Sequence, residues 1–127
     1  MAKVILDTNF ILNCIRNKVD FYEELLFKGH TPLIPIQVID EIKRLRDGTK
    51  ALKFREEANL ALKLIASQDY QEVDTPGKYV DVGLKKYCLE NPEVVLATMD
   101  KVLKKSVPNR KLVIRNKKKL ELQWKAF

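Results

Sequence analysis

Short apolar runs alternate with helix-length amphipathic segments along this chain. That alternation argues for a parallel sheet flanked by helices. The expected strands are residues 3–6, 31–34, 71–73, 93–97 and 111–115. Between the first two, Phe10–Arg16 and Phe21–Phe27 have helical spacing. Pro35 suits the first turn of the next helix, where its missing N–H costs nothing. Val38, Ile39, Ile42 and Leu45 then form one apolar stripe at three- and four-residue steps. Arg46-Asp47-Gly48-Thr49 reads as the turn that ends this helix, and Ala58, Ala61, Leu62 and Ile65 mark another. Thr75-Pro76-Gly77 signals a turn before a helix containing Asp81.

Ligands of open α/β sheets bind beyond the carboxyl ends of the strands. Asp7 follows Val4-Ile5-Leu6, and Asp100 follows Val94-Val95-Leu96-Ala97 with Thr98 and Met99. The sheet would therefore set both acids on one rim. Each has an ordinary explanation as well, because Asp, Thr and Asn are preferred helix N-caps. Glu41 stands at the border of its helix's apolar stripe, about 90° from the centre at 100° per residue, and can reach a cleft. Asp40 projects nearly opposite the stripe, into water. Asp81 shares a face with Leu84 and Cys88, which fits either a first-turn cap or an inward-facing ligand. For Glu41 the ordinary alternative is a surface pair with Arg44 or Lys53, and for Asp81 one with Lys85 or Lys86. Taken together, four gathered carboxylates raise one another's pKa unless a cation offsets the repulsion. Hard oxygen donors suit Mg²⁺ or Mn²⁺, and there is no His/Cys set for zinc. His30 is the single histidine and reads as a loop residue, which leaves a histidine-based nucleophilic mechanism little to build on. No glycine-rich phosphate loop is present.

At 127 residues the chain is expected to form one domain, burying roughly two-thirds of the surface its unfolded form exposes. No apolar run approaches a membrane span, and Asp7 and Asn9 interrupt the N-terminal run before it could serve as a signal-peptide core. Cys14 and Cys88 fall in helical stretches and read as buried thiols in a reducing compartment, so the expected location is cytoplasmic. The net charge of +7 is unevenly spread. Residues 1–100 hold 14 Lys/Arg against 16 Asp/Glu, and residues 101–127 hold 10 against 1. The excess includes Lys101, Lys104, Lys105, Arg110, Lys111, Arg115, Lys117, Lys118 and Lys119, which points to a polyanion partner or, more plainly, to a solvated surface. Tyr79, Tyr87 and Trp124 could stack on unpaired bases, with core packing as the alternative for the tyrosines.

Four pieces of the chain together resemble the PIN-domain nucleases. They are Val4-Ile5-Leu6-Asp7-Thr8-Asn9, Ile34-Pro35 leading to Val38-Ile39-Asp40-Glu41-Ile42, Tyr79-Val80-Asp81 with Leu84, and Val95-Leu96-Ala97-Thr98-Met99-Asp100 with Leu103-Lys104. The basic stretch after Asp100 and the ending Leu112-Val113-Ile114-Arg115 make the chain most similar to archaeal members that resemble the eukaryotic small-subunit rRNA-processing branch. The resemblance implies a three-layer α/β/α sandwich around a mainly parallel five-stranded sheet. It implies Asp7, Glu41, Asp81 and Asp100 as metal-binding and catalytic residues, supported by Thr8, Asn9 and Thr98. Met99 departs from the polar residue that relatives often carry between Thr and Asp.

The resulting expectation is a Mg²⁺- or Mn²⁺-dependent endoribonuclease acting on single-stranded RNA, with precursor rRNA as one candidate substrate. Lys101, Lys104, Lys105, Arg110, Lys117, Lys118 and Lys119 would hold phosphates. The alternatives are a non-catalytic RNA-binding or ribosome-assembly factor and a VapC-type toxin ribonuclease with an antitoxin partner. A homodimer is left open, and no membrane partner is expected.

Overall fold

The computed structural model describes residues 2–48 and 51–123. The elements run in the order β1 (Lys3–Leu6), α1 (Thr8–Arg16), α2 (Phe21–Phe27), β2 (Thr31–Pro35), α3 (Ile36–Gly48), α4 (Leu52–Ala66), β3 (Gln71–Val73), α5 (Val80–Glu90), β4 (Val95–Ala97), α6 (Lys101–Ser106), β5 (Lys111–Arg115) and β6 (Lys119–Gln123). They build one sheet of order β3-β2-β1-β4-β5-β6. Every pairing is parallel except β5 with β6.

Strands β1 and β4 are the middle of the structure. Val4, Ile5, Leu6, Val95, Leu96 and Ala97 are all fully buried, as unbroken apolar strands covered on both faces must be. Burying each large aliphatic side chain contributes about 1.5–3 kcal/mol. From β1 the chain steps outward to β2 and β3, then returns across the sheet to β4 and steps the other way to β5. Right-handed crossovers then place α1 to α4 on one face and α5 and α6 on the other. The packing of α4 against α3 and α1, and of α5 against α6, agrees with that division. Arg16 reinforces the first layer by a two-pronged contact with Glu57 of α4, through Nε to Oε2 at 3.1 Å and Nη2 to Oε1 at 2.9 Å. Among the described residues no helix is long and apolar enough to cross a membrane.

The sheet has six strands, not the expected five. The extra strand β6 returns from β5 through a turn whose central residues, Asn116 and Lys117, have φ of 55° and 57°. Lys118 N–H closes it on the Arg115 carbonyl at 3.1 Å. Left-handed residues at both central positions match the right-handed twist of a hairpin. Arg115 then meets Glu121 across the strands in a bidentate pair. Two boundaries also differ from expectation. Pro35 ends β2, paired in register with Val73, and does not open α3. β4 begins at Val95 and not at residue 93, because the Asn109 amide takes the Val94 carbonyl (2.8 Å) and the Asn91 carbonyl (3.0 Å).

Lys111 departs from the basic surface on which its charge would place it. It is fully buried, and Nζ donates to the Val107 carbonyl at 3.0 Å and to the Asn109 carbonyl. Burial holds its pKa below the usual lysine value. Its role is to tie the loop before β5 to the core. Lys111→Ala should therefore destabilise the chain by about 2–5 kcal/mol in urea unfolding, the range for truncating a long core side chain.

Candidate active site at the carboxylate cleft

The sheet order reverses direction between β1 and β4, and there the first functional groups emerge. Asp7 N–H donates to the Ala97 carbonyl at 3.0 Å, carrying the β1–β4 ladder one residue past the strand. Asp7 occupies the N-cap position of α1, yet its side chain makes no capping hydrogen bond. Its Oδ2 instead accepts from Thr98 Oγ1 at 2.8 Å. Thr98 is fully buried, and the same oxygen accepts from Asp100 N–H at 3.1 Å. One hydroxyl thus links the two acids that follow the central strands.

Asp100 combines two functions that sequence reasoning set against each other. Its Oδ1 caps α6, accepting from Val102 N–H at 2.8 Å and Leu103 N–H at 3.1 Å. Its side chain also lines a cleft of about 580 Å³, shared with Asp7, Glu41 and Asp81. All four carboxylates therefore border one space. Glu41 is half-buried and forms no ion pair among the described residues, whereas Asp40 is exposed. Asp81 is exposed in the first turn of α5, although Leu84 and Cys88 on its face are buried; its Oδ1 accepts from Val82 N–H at 3.0 Å.

The supporting residues take different parts. Thr98 holds Asp7, as described. Asn9 is exposed and lines the cleft. Thr8 is buried, and its Oγ1 has no hydrogen-bond partner among the described residues. Met99 does not line the cleft; its Sδ receives the Ile114 N–H at 3.4 Å, fastening the Thr98–Asp100 turn to β5.

The cations of the cleft are Arg44 and Lys78, which sequence reasoning did not assign to the site. Neither forms an ion pair among the described residues. A signal for Arg44 was present, since it lies three residues after Glu41 on the same helix face. Tyr79, 66% exposed, stands beside Lys78 on the cleft lining. The seven basic residues expected to hold RNA lie elsewhere: Lys101, Lys104, Lys105, Arg110, Lys117, Lys118 and Lys119 do not line this cleft. Arg110 precedes β5 at the amino end of the parallel strands, near His30, whose pKa is lowered by burial and then by neighbouring positive charges including Arg110. Lys118 lines a separate depression with Asp20, Glu23 and Glu24. Tyr87 is half-buried on α5, and Trp124 lies outside the described residues.

A family model described as a PIN-like domain matches residues 4–119. The chain belongs to the PIN-like domain family. Ribonuclease VapC4 of Methanocaldococcus jannaschii is 32% identical over 130 residues, spanning 96% of this chain and 97% of that protein. The solved structure of the PIN domain endonuclease Utp24 matches with a TM-score of 0.77 at 26% identity, covering 94% of this chain and 90% of that one.

The donor set of this PIN-like chain fits a hard divalent cation. It is all oxygen, with no His or Cys on the lining, and its four carboxylates outnumber the two cations beside them. Among the described residues no three such groups already stand clustered as they would around one ion. Direct ligation by several of them therefore requires side-chain rotation, or water in between.

Asp7 records the electrostatic cost of the arrangement. Its pKa is raised from 3.8 to about 6, first by burial; the Thr98 hydroxyl and Thr8 amide oppose the rise, and the charges of Glu41 and Asp100 add to it. The folded chain then keeps a proton that the unfolded chain has lost. Stability contributed by Asp7 should fall as pH rises from about 4 through about 6 and level off above, a loss of about 3 kcal/mol. Urea unfolding in EDTA across that range should show this loss in the wild type but not in Asp7→Asn, which should be the more stable of the two at pH 7.

Proposed function

We propose that this chain is a metal-dependent endoribonuclease that hydrolyses phosphodiester bonds in single-stranded RNA, acting as one PIN-like domain. The observation that carries the reading is the convergence of Asp7, Glu41, Asp81 and Asp100 on one cleft that also holds Arg44 and Lys78. The likeness to Ribonuclease VapC4 and to the endonuclease Utp24 supports the same chemistry. The two buried free thiols, Cys14 and Cys88, suit a reducing, cytoplasmic setting.

The four carboxylates would hold Mg²⁺ or Mn²⁺. Such an ion, when bound, supplies an activated water and offsets charge on the leaving oxygen. Asp7 stands on the rigid centre of the sheet and is oriented by Thr98, so its free lone pairs keep a constant direction. Asp100 commits Oδ1 to α6 and keeps Oδ2 for the cleft. Arg44 and Lys78 bind phosphates flanking the scissile bond, and the exposed ring of Tyr79 stacks on an unpaired base. An unpaired strand is the substrate these residues accept, because a paired base offers no free face to stack. Exposed Lys101, Lys105, Lys117 and Lys119 give a sequence-independent track for RNA beyond the cleft.

The substrate within this class is precursor rRNA if the processing role holds. The second reading, a VapC-type toxin, is favoured by the 32% identity to VapC4 and requires an antitoxin partner. An antitoxin gene beside this one, with its product binding this chain, selects the toxin role; binding to precursor rRNA without such a neighbour selects processing.

Digestion of single-stranded RNA with Mg²⁺, Mn²⁺ or EDTA tests the reaction. Cleavage should require either ion, and Asp7→Asn should reduce it by at least about 100-fold while RNA affinity stays near wild type. Equal cleavage by the variant removes Asp7 from the site, and RNA binding without cleavage by the wild type makes the chain a binding factor. A second measurement tests the cleft cations. Arg44→Ala with Lys78→Ala should flatten the plot of log K against log salt by about 1.4, or about 0.7 for each phosphate no longer neutralised. An unchanged slope places the phosphate-binding cations elsewhere.

A further inference from the structure

The segment between β3 and α5 delivers Lys78 and Tyr79 to the cleft and leads directly into the turn bearing Asp81. It has almost no regular structure of its own, and Gly77 turns it with φ of 86°. What fixes it is the side chain of Gln37, in the first turn of α3. Gln37 Nε2 donates to Asp74 Oδ1 at 2.8 Å and to the Thr75 carbonyl at 3.0 Å. Gln37 Oε1 accepts from Thr75 N–H at 3.3 Å and from Thr75 Oγ1 at 3.0 Å. Both donors and both acceptor positions of one carboxamide are thus spent on two consecutive residues, and among side-chain groups only a carboxamide offers two of each.

The same segment is held from its other side by α5. A Cβ placed on Gly83 would lie 2.7 Å from Thr75 Oγ1 and 2.8 Å from the Pro76 carbonyl, so the helix approaches as closely as a glycine permits. Thr75, 3% exposed, is gripped between α3 and α5. On α3, Gln37, Glu41 and Arg44 project within an arc of about 60° at 100° per residue. One stripe of this helix therefore provides the tether, a carboxylate and a cation.

We propose that Gln37 is a positioning residue for the reaction: its carboxamide sets the distance between the wall carrying Glu41 and Arg44 and the wall carrying Lys78, Tyr79 and Asp81. The proposal rests on the nuclease reading for its effect on cleavage, but the tether itself can be read without activity. Gln37→Glu turns the Nε2 donor into an acceptor facing Asp74 Oδ1 and the Thr75 carbonyl, which repels the segment. Adding Asp74→Asn returns a donor opposite that oxygen.

Gln37→Glu should lower kcat about 10- to 100-fold, the usual cost of disturbing a group that orients ligands, with a smaller change in KM. Gln37→Glu with Asp74→Asn should recover most of it. Amide hydrogen exchange over residues 74–80, measured on metal-free protein, should quicken in the single variant and slow again in the double. Wild-type kcat and exchange in Gln37→Glu, or failure of Asp74→Asn to restore either, overturns the proposal. If the unsubstituted chain cleaves no RNA, the nuclease reading falls by itself, and the exchange comparison still decides the tether. Should Gln37→Glu not fold, Thr75→Val deletes one of the four hydrogen bonds and should quicken exchange over the same residues; wild-type exchange there counts against the tether equally.

Discussion

Between β1 and β4 the backbone ladder does not stop where the strands stop. Asp7 N–H continues it onto the Ala97 carbonyl, and the Thr98 hydroxyl repeats the connection one step further through the Asp7 carboxylate. Backbone and side chain together bring two segments, separated by about ninety residues of sequence, into a fixed relation at the point where the sheet changes direction. Every other component of the cleft is placed relative to that junction. Val4, Ile5, Leu6, Val95, Leu96 and Ala97 are fully buried, so a shift of either strand would break a close-packed fit on both faces.

The junction has a cost, and the cost indicates its use. A carboxylate at the bottom of the cleft has lost most of its water, and its neighbours Glu41 and Asp100 are also acids. A structure built only for stability would place an apolar residue there or supply a cation against it. Arg44 and Lys78 border the space but do not pair with the acids. An anionic interior with cations at its margin suits a positive ion within and a chain of phosphates across the opening. On the proposed function, that ion and those phosphates are the partners that the carboxylates and the two cations would take.

Much of this was legible from the residues alone. Unbroken apolar runs identified the central strands, and an acid directly after one run and three residues after the other located the rim. The position of Glu41 at the edge of an apolar stripe separated it from Asp40. Other features depend on tertiary contacts that local pattern does not carry. Strand β6 was hidden because its turn uses Asn116 and Lys117 in left-handed conformations, without the glycine that usually announces such a hairpin. The lysine run there reads as a charged tail. Lys111 was counted among surface cations, since nothing local reveals the two carbonyls that receive its ammonium group. Gln37 was passed over for a related reason: its partners lie 37 and 38 positions away, and an amide has no charge to draw attention.

The margins of the sheet have a bearing on how the chain behaves at high concentration. At one margin β3 is three residues long, with Gln71 and Glu72 exposed; at the other, β6 follows a hairpin stapled by Arg115 and Glu121 and begins at an exposed lysine. A free strand edge can template the addition of another molecule, and brevity and charge are the usual protections against it. A newly synthesised copy therefore meets few places where edge-to-edge aggregation can begin, even though most of the strands between those margins are apolar enough to drive it.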